Sequence, residues 1–333
     1  MAAKIYTEKD VPLDPLLDKT CAVIGYGAQG RSHALNLRDS GIKVVVGLPT
    51  GSRSRKIARQ DRIALTTPAA ATRKADVIFL AVPDTKMAEI FRKEIALQLR
   101  YGQTLLFAHG FAIHYRTVIP PNNVDVIMVA PKGLGSMVRT QFVEGGGVPC
   151  VIAVQQDATG KAKETALAYA RAIGGTRAGV IETTFKEETE ADLFAEQAVL
   201  CGGMTALVQA GFEILVEAGY QPEMAYFECL HELKFIVDLM HRAGISGMRA
   251  RISETAKWGD ISVGPRIVND LVKKEMKKVL ADIQSGKFAE GWLRETATGR
   301  ERYDRLLEQG SQEPIEKVGH RLRRLMPWLE EKS

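Results

Sequence analysis

The chain has 333 residues, 45% apolar and 26% charged, with a net charge of +5. At roughly 150 residues per domain there is room for two cores, and this ordinary balance excludes a disordered, collagen-like or coiled-coil chain. So small a basic surplus gives no reason to expect nucleic acid; with no apolar run near the roughly 18 residues of a membrane span and no signal-peptide pattern over residues 1–18, a soluble cytoplasmic protein is expected.

From Thr20 to about Ile181, short apolar runs at 21–24, 44–46, 77–82, 105–108, 126–129 and 151–154 alternate with helical stretches, the rhythm of a parallel α/β sheet. After Thr183 helical periods take over, broken at 202–203, 219–222 and around 244–247. The pattern predicts a Rossmann-type α/β domain over 1–182 and an all-α domain over 183–328, with Thr184 and Glu187 as the capping box of the first helix. Cys21, Cys150, Cys201 and Cys229 are far apart, form no C-x-x-C, and read as reduced core residues.

Gly25-Tyr26-Gly27-Ala28-Gln29-Gly30 is a G-x-G-x-x-G between a buried-strand pattern and a helical run. In that context the glycines allow a tight turn, and the helix aims its N-terminal amides at a pyrophosphate. A glycine turn without ligand is the alternative. An NAD-selective site usually carries an acid after the second strand, yet residues 41–60 contain none and offer Ser52, Arg53, Ser54 and Arg55. Hydroxyls and guanidinium groups suit a 2′-phosphate, so NADP(H) is expected over NAD(H), against the plainer reading of a solvated basic loop.

Asp192 and Glu196 lie four apart and share a helical face, which Val199, Leu200 and Gly203 continue toward the packed side. Glu187, Glu188 and Glu190 are set aside as first-turn acids that complement a helix dipole. In the next helix His231, Lys234, Asp238 and His241 mark a solvent stripe, leaving Glu228 and Glu232 among Phe235, Ile236 and Leu239. Unpaired carboxylates there would pay a desolvation penalty that a divalent cation would remove. Four oxygen donors suit a hard ion such as Mg2+, and two ions could share them; salt bridges to Lys or Arg are the alternative. Glu228-x-x-His231 matches half of a di-iron signature, but no second copy exists.

The blocks G-Y-G-A-Q-G, F-A-H-G-F at 107–111, A-P-K-G at 130–133, E-G-G-G-V-P-C at 144–150, E-E-T-E-A-D-L-F-A-E-Q-A-V-L-C-G-G at 187–203 and A-Y-F-E-C-L-H-E-L-K at 225–234 together resemble ketol-acid reductoisomerase of the short-chain class, over nearly the whole chain. The resemblance implies a two-step conversion of 2-acetolactate or its ethyl analogue toward valine and isoleucine, in which an alkyl group migrates and NADPH reduces the product, both steps using two Mg2+. It implies that Asp192 bridges the ions, that Glu196 completes one site, and that Glu228 and Glu232 serve the other. Glu232, with Lys132 and water, is the candidate for managing protons, and His109 matches an active-site histidine. Gly25, Tyr26, Gly27, Ala28, Gln29, Pro83, Asp84, Thr85, Lys86 and Gly135 match cofactor-lining positions, and Ser253 the serine that holds substrate. The family's helical part is knotted, against the usual rule. With one copy of each carboxylate pair in this chain, the resemblance implies an obligate homodimer with a shared site, with a dodecamer built from such dimers as the alternative.

Some positions depart from the family pattern. Pro49 stands where an Arg often lies near the cofactor phosphate, which keeps NADH open as an alternative; Arg251 lies close to Ser253; Leu134 and Ser136 alter the P-K-G turn. A 3-hydroxyacid dehydrogenase also joins a Rossmann to a helical domain, but it needs no metal carboxylates. A non-catalytic NADP sensor would be expected to have lost them, and an RNA-binding protein using the basic loop would show salt-sensitive affinity.

Overall fold

In the computed structural model, which describes residues 3–329, the first half forms strands β1 (Ile5–Tyr6), β2 (Thr20–Ile24), β3 (Lys43–Gly47), β4 (Ala64–Thr66), β5 (Val77–Leu80), β6 (Thr104–Phe107), β7 (Asp125–Pro131), β8 (Cys150–Gln156) and β9 (Val180–Glu182). They pair in the order β1-β9-β8-β7-β6-β5-β2-β3-β4. Every pairing from β4 to β7 is parallel, with Ala22 of β2 set between Val45 and Ile78. The sheet is nevertheless mixed, not wholly parallel as expected. β8 runs antiparallel to β7, and β1 antiparallel to β9. The Gly135–Val143 helix and the turn after it return the chain at the same end of the sheet, and an antiparallel neighbour follows. Strands β1, β4 and β9, of two or three residues, are too short to leave a period in the sequence.

Every residue of β5, β6 and β7 is buried, as in a sheet covered on both faces. Alternation sends Val23, Val46, Phe79 and Leu106 to one core, and Ala22, Ile78, Leu105 and Phe107 to the other. Cys21 and Cys150 belong to this unit, and burial pushes both thiols up to about 12. Cys201 is exposed and Cys229 only half-buried, so the expectation of four core cysteines fails for these two.

The chain divides into two compact units, Met1–Ala191 and Asp192–Ser333. The second is helical, with a small core of Phe212, Ala225, Tyr226, Ile315 and Val318. Glu187 N–H donates to Thr184 Oγ1 at 3.0 Å, as the capping pattern predicts, while the Glu187 carboxylate accepts from the Thr183 hydroxyl. The expected break at Gly202 and Gly203 is instead a wider turn. Helix Phe185–Ala195 passes through a π-turn at Glu196–Leu200 into helix Gly202–Glu217. The continuous stretch Phe185–Glu217 is long and apolar enough to cross a membrane by length and composition, a run that the glycines hid from the sequence reading. The later break is a kink at Gly244, whose φ of 70° lies in the left-handed region that glycine tolerates.

Candidate active site

The G-x-G-x-x-G turn joins β2 to helix Ala28–Asp39. Gly25 has φ of 107°, and a Cβ there would lie 2.1 Å from the Ala81 carbonyl oxygen, so only glycine lets the turn cross the end of β5. Gly25, Tyr26, Gly27, Ser52, Ser54, Pro83 and Lys86 line one cleft of about 460 Å3, with Leu48 and Pro49 on the same wall. Arg53 lies exposed beside it and caps helix Ser54–Gln60. Arg55 is engaged otherwise: its Nη1 donates to the Leu48 carbonyl at 2.8 Å and toward the Thr66 carbonyl at 3.4 Å, bracing the loop. Asp84 and Thr85 open helix Asp84–Ile90.

Two further contacts fix this turn. Gln29 Nε2 donates to the Gly133 carbonyl at 3.3 Å and Ser32 Oγ to the Gly135 carbonyl at 2.7 Å, tying the β2 loop to the β7 loop. A Cβ on Gly135 would meet Ala28 carbonyl carbon at 2.7 Å, so these backbones touch directly. The Tyr26 hydroxyl donates to Asp61 Oδ2, which also accepts from Arg31; the Arg31 hydrogen bond, ahead of other causes, holds the Asp61 carboxyl below the usual range.

The residue that organises the rest of this unit is Glu188, which the sequence reading set aside as a dipole acid. Its side chain is 1% exposed. Oε1 accepts from Lys132 Nζ at 2.8 Å and Oε2 from Gly110 N–H at 2.9 Å, with His109 Nε2 at 3.9 Å. A buried carboxylate requires such partners. Gly110 permits the approach, since a Cβ there would stand 2.2 Å from Thr189 Oγ1 and 2.6 Å from the Phe185 carbonyl. His109 Nδ1 accepts from Phe111 N–H at 3.3 Å, so a neutral ring carries its proton on Nε2. Glu190 is likewise no dipole acid: its carboxylate faces His114 Nε2 at 3.4 Å. One signal could have found Glu188, because it precedes Asp192 and Glu196 at the same interval of four.

In the helical unit Asp192 and Glu196 sit at the end of helix Phe185–Ala195 and the start of its π-turn. Glu228 lies within a second π-turn, Phe227–His231, and Glu232 closes it. Glu196, Glu228 and Glu232 are exposed in the single chain, as are Val199, Leu200 and Phe235. The expected packed face and its desolvation penalty are therefore absent from one chain alone. The π-turns shift only what lies within or after them, Val199 to Gly203 and the spacing of Glu228 to Glu232, from the stripe that a regular 100° period projects. Ser253 caps helix Glu254–Ile267, accepting from Ala256 N–H at 3.2 Å, and Arg251 donates to the Gly247 carbonyl at 2.8 Å.

Residues 15–179 match the family described as acetohydroxy acid isomeroreductase, NADPH-binding domain, and residues 185–328 match ketol-acid reductoisomerase, C-terminal domain. Among solved structures, an NADH-preferring ketol-acid reductoisomerase from an uncultured archean is 44% identical, with 97% of this chain and 99% of that chain covered and a TM-score of 0.94. A semialdehyde dehydrogenase NAD-binding protein from Cupriavidus necator, solved with calcium and NAD, shares the fold at 19% identity and TM-score 0.60, over 80% of this chain and 99% of that one. A pyrroline-5-carboxylate reductase from Coxiella burnetii does so at 14% and 0.54, over 80% and 97%. The two-unit architecture, the nucleotide cleft and both matched domains lead to one assignment: the chain belongs to the ketol-acid reductoisomerase family of oxidoreductases.

Proposed function

We propose that this reductoisomerase converts 2-acetolactate, or its ethyl analogue 2-aceto-2-hydroxybutyrate, to the 2,3-dihydroxy acid by alkyl migration and then reduction, using NADPH and two Mg2+. The observation that carries the reading is the donor set: Asp192, Glu196, Glu228 and Glu232 offer only carboxylate oxygens, at intervals of four on two helices, in a chain matched along its length by the family. That set fits a hard divalent cation, and among the described residues Glu228 and Glu232 form no ion pair that would compete for it. Bound there, the ions would supply Lewis acidity to the ketone and tertiary hydroxyl oxygens of the substrate, and the nicotinamide would supply the hydride.

The protein's own groups do the rest. Lys132 is held as an ammonium by Glu188, and His109 presents an Nε2–H beside the same carboxylate. Both can donate to developing charge on a substrate oxygen. Glu232, exposed at the end of its π-turn, can take up and return the proton of the migrating step. Ser253 offers its hydroxyl to the substrate carboxylate. Gly25, Tyr26, Gly27, Ala28, Gln29, Pro83, Asp84, Thr85, Lys86 and Gly135 would hold the dinucleotide, with Ser52, Arg53 and Ser54 at the 2′-phosphate.

Exposure of three of the four carboxylates among uncovered apolar side chains supports a homodimer with a shared site, which would cover that face. The same covering, in the cytoplasm, accounts for the apolar Phe185–Glu217 stretch. The test is absorbance at the NAD(P)H band with 2-acetolactate, NADPH and NADH in parallel, with Mg2+ and then a chelator. Mg2+-dependent oxidation with NADPH ahead is expected. NADH ahead would overturn the cofactor preference, and turnover in chelator the metal assignment.

A further inference from the structure

Helix irregularities coincide with both carboxylate pairs. The first π-turn, Glu196–Leu200, closes with Cys201 N–H donating to the Glu196 carbonyl at 3.0 Å. The second, Phe227–His231, closes with Glu232 N–H on Phe227, also at 3.0 Å. A third, Phe91–Ile95, borders the nucleotide cleft through Lys93 and Glu94. Such turns are rare and concentrate at functional sites.

Of the two turns at the carboxylates, the first is the more distorted. Cys201 has φ −110° and ψ −68°, whereas Glu232 at the matching place has −72° and −24°. Gly202 and Gly203 follow it directly. A Cβ on Gly202 would stand 2.3 Å from the Gln197 carbonyl oxygen, and one on Gly203 would stand 2.1 Å from that of Ala198. Those are backbone atoms and cannot rotate aside. In regular helix the same addition meets no such backbone: beyond its own helical turn, a Cβ at Gly211 would touch only the Cys229 side chain, and one at Gly291 would find nothing within 4 Å. Neither Gly202 nor Gly203 has a positive φ, so the requirement is for space rather than backbone freedom. The widened turn drives two carbonyls into the volume that a side chain would fill.

We propose that Gly202 and Gly203 are positioning residues for the metal site, keeping open the π-turn that sets the rotational phase between Asp192–Glu196 and the helix Gly202–Glu217. The extra residue is worth about 100° of helix rotation. That helix in turn rests against the second π-turn, where a Cβ on Gly211 would lie 3.2 Å from Cys229 Sγ, so the phase is handed on to Glu228 and Glu232. The inference rests on the carboxylates being the metal ligands proposed above.

The experiment titrates Mn2+ into the full-length protein by electron paramagnetic resonance, with NADPH affinity and thermal unfolding measured on the same samples. The variants are Gly202→Ala, Gly203→Ala, Gly202→Ala with Val199 deleted, Gly291→Ala as control, and Asp192→Asn. Gly202→Ala and Gly203→Ala are expected to lose about tenfold or more in Mn2+ affinity, the scale of a lost supporting contact around a metal, with NADPH affinity unchanged. Deleting Val199 removes the extra residue, so that variant should regain thermal stability, because a regular helix accepts alanine at 202, and still bind Mn2+ weakly. Stability without affinity is the signature that a purely structural role would not give. Native Mn2+ affinity in a folded Gly202→Ala protein or in the deletion variant would overturn the proposal, and the deletion variant decides alone if Gly202→Ala does not fold. Equal Mn2+ binding by the native protein and Asp192→Asn would instead remove the ligand assignment itself, and this inference with it.

Discussion

The sheet unit covers both faces of β5, β6 and β7 with its own helices, while the helical unit leaves Val199, Leu200, Leu207, Ile214 and Trp258 facing solvent. The polar groups divide the same way. Glu188 is buried and hydrogen-bonded by Lys132 and a backbone amide, whereas Glu196, Glu228 and Glu232 are exposed. The core of the sheet unit is therefore closed within a single chain, and its cleft is braced by the Gln29, Ser32 and Arg55 hydrogen bonds. The other carries its reactive carboxylates on a face that a second chain would complete. Burial in the first fixes geometry; exposure in the second would keep the proposed ligands accessible until a second chain covers them.

The largest test of this contrast is Asp192→Asn, expected to lower turnover by about a thousandfold or more, since the proposed ions would lower the barrier by several kcal/mol. NADPH binding, measured by fluorescence, should be unchanged; parallel loss of both would break the division of labour. Trp258→Asp places a charge on the uncovered face, and a fall in mass by light scattering together with lost turnover is expected. A native mass would show that this face is not the interface.

Lys132→Met strands the Glu188 carboxylate and should destabilise the sheet unit by about 2 kcal/mol in urea unfolding. That lies below the full cost of breaking a buried pair because the ammonium is 38% exposed. An effect of another kind, read as a slope with pH rather than as the loss of one contact, is acid dependence at His33, fully buried against Phe79 and Tyr169. Burial lowers its pKa to about 3, below the unfolded value near 6.5. The unfolded chain then binds the proton first, so stability is complete above about pH 6.5 and falls by about 1.4 kcal/mol per pH unit toward 3. His33→Phe should flatten that slope, and an unchanged slope would place the acid sensitivity elsewhere.

Much of this molecule was legible in the sequence because its signals are local. Continuous apolar runs announced the central strands, and the glycine turn with the acid-free stretch after it announced the cleft. Carboxylates four apart announced that Asp192, Glu196, Glu228 and Glu232 lie on helical segments. What was not legible depends on distant partners or on broken periodicity. Glu188 looks like a helix-start acid until Lys132 and Gly110, some fifty or more residues away in sequence, arrive beside it. The stripe continued from Glu196 to Gly203 and the face joining Glu228 to Glu232 were drawn with a period that the π-turns do not obey. Gly202 and Gly203 were read as a break when they are what lets the helix continue.

The Arg55 brace bears on redesign. A library meant to change nucleotide preference would naturally include every cation in the stretch 52–55, yet Arg55 spends its guanidinium on the backbone ends of β3 and β4. Randomising it would loosen the loop for both dinucleotides at once and hide any gain in selectivity. Confining diversity to Ser52, Arg53 and Ser54 leaves the scaffold rigid, so that a change in preference is read as chemistry rather than as disorder.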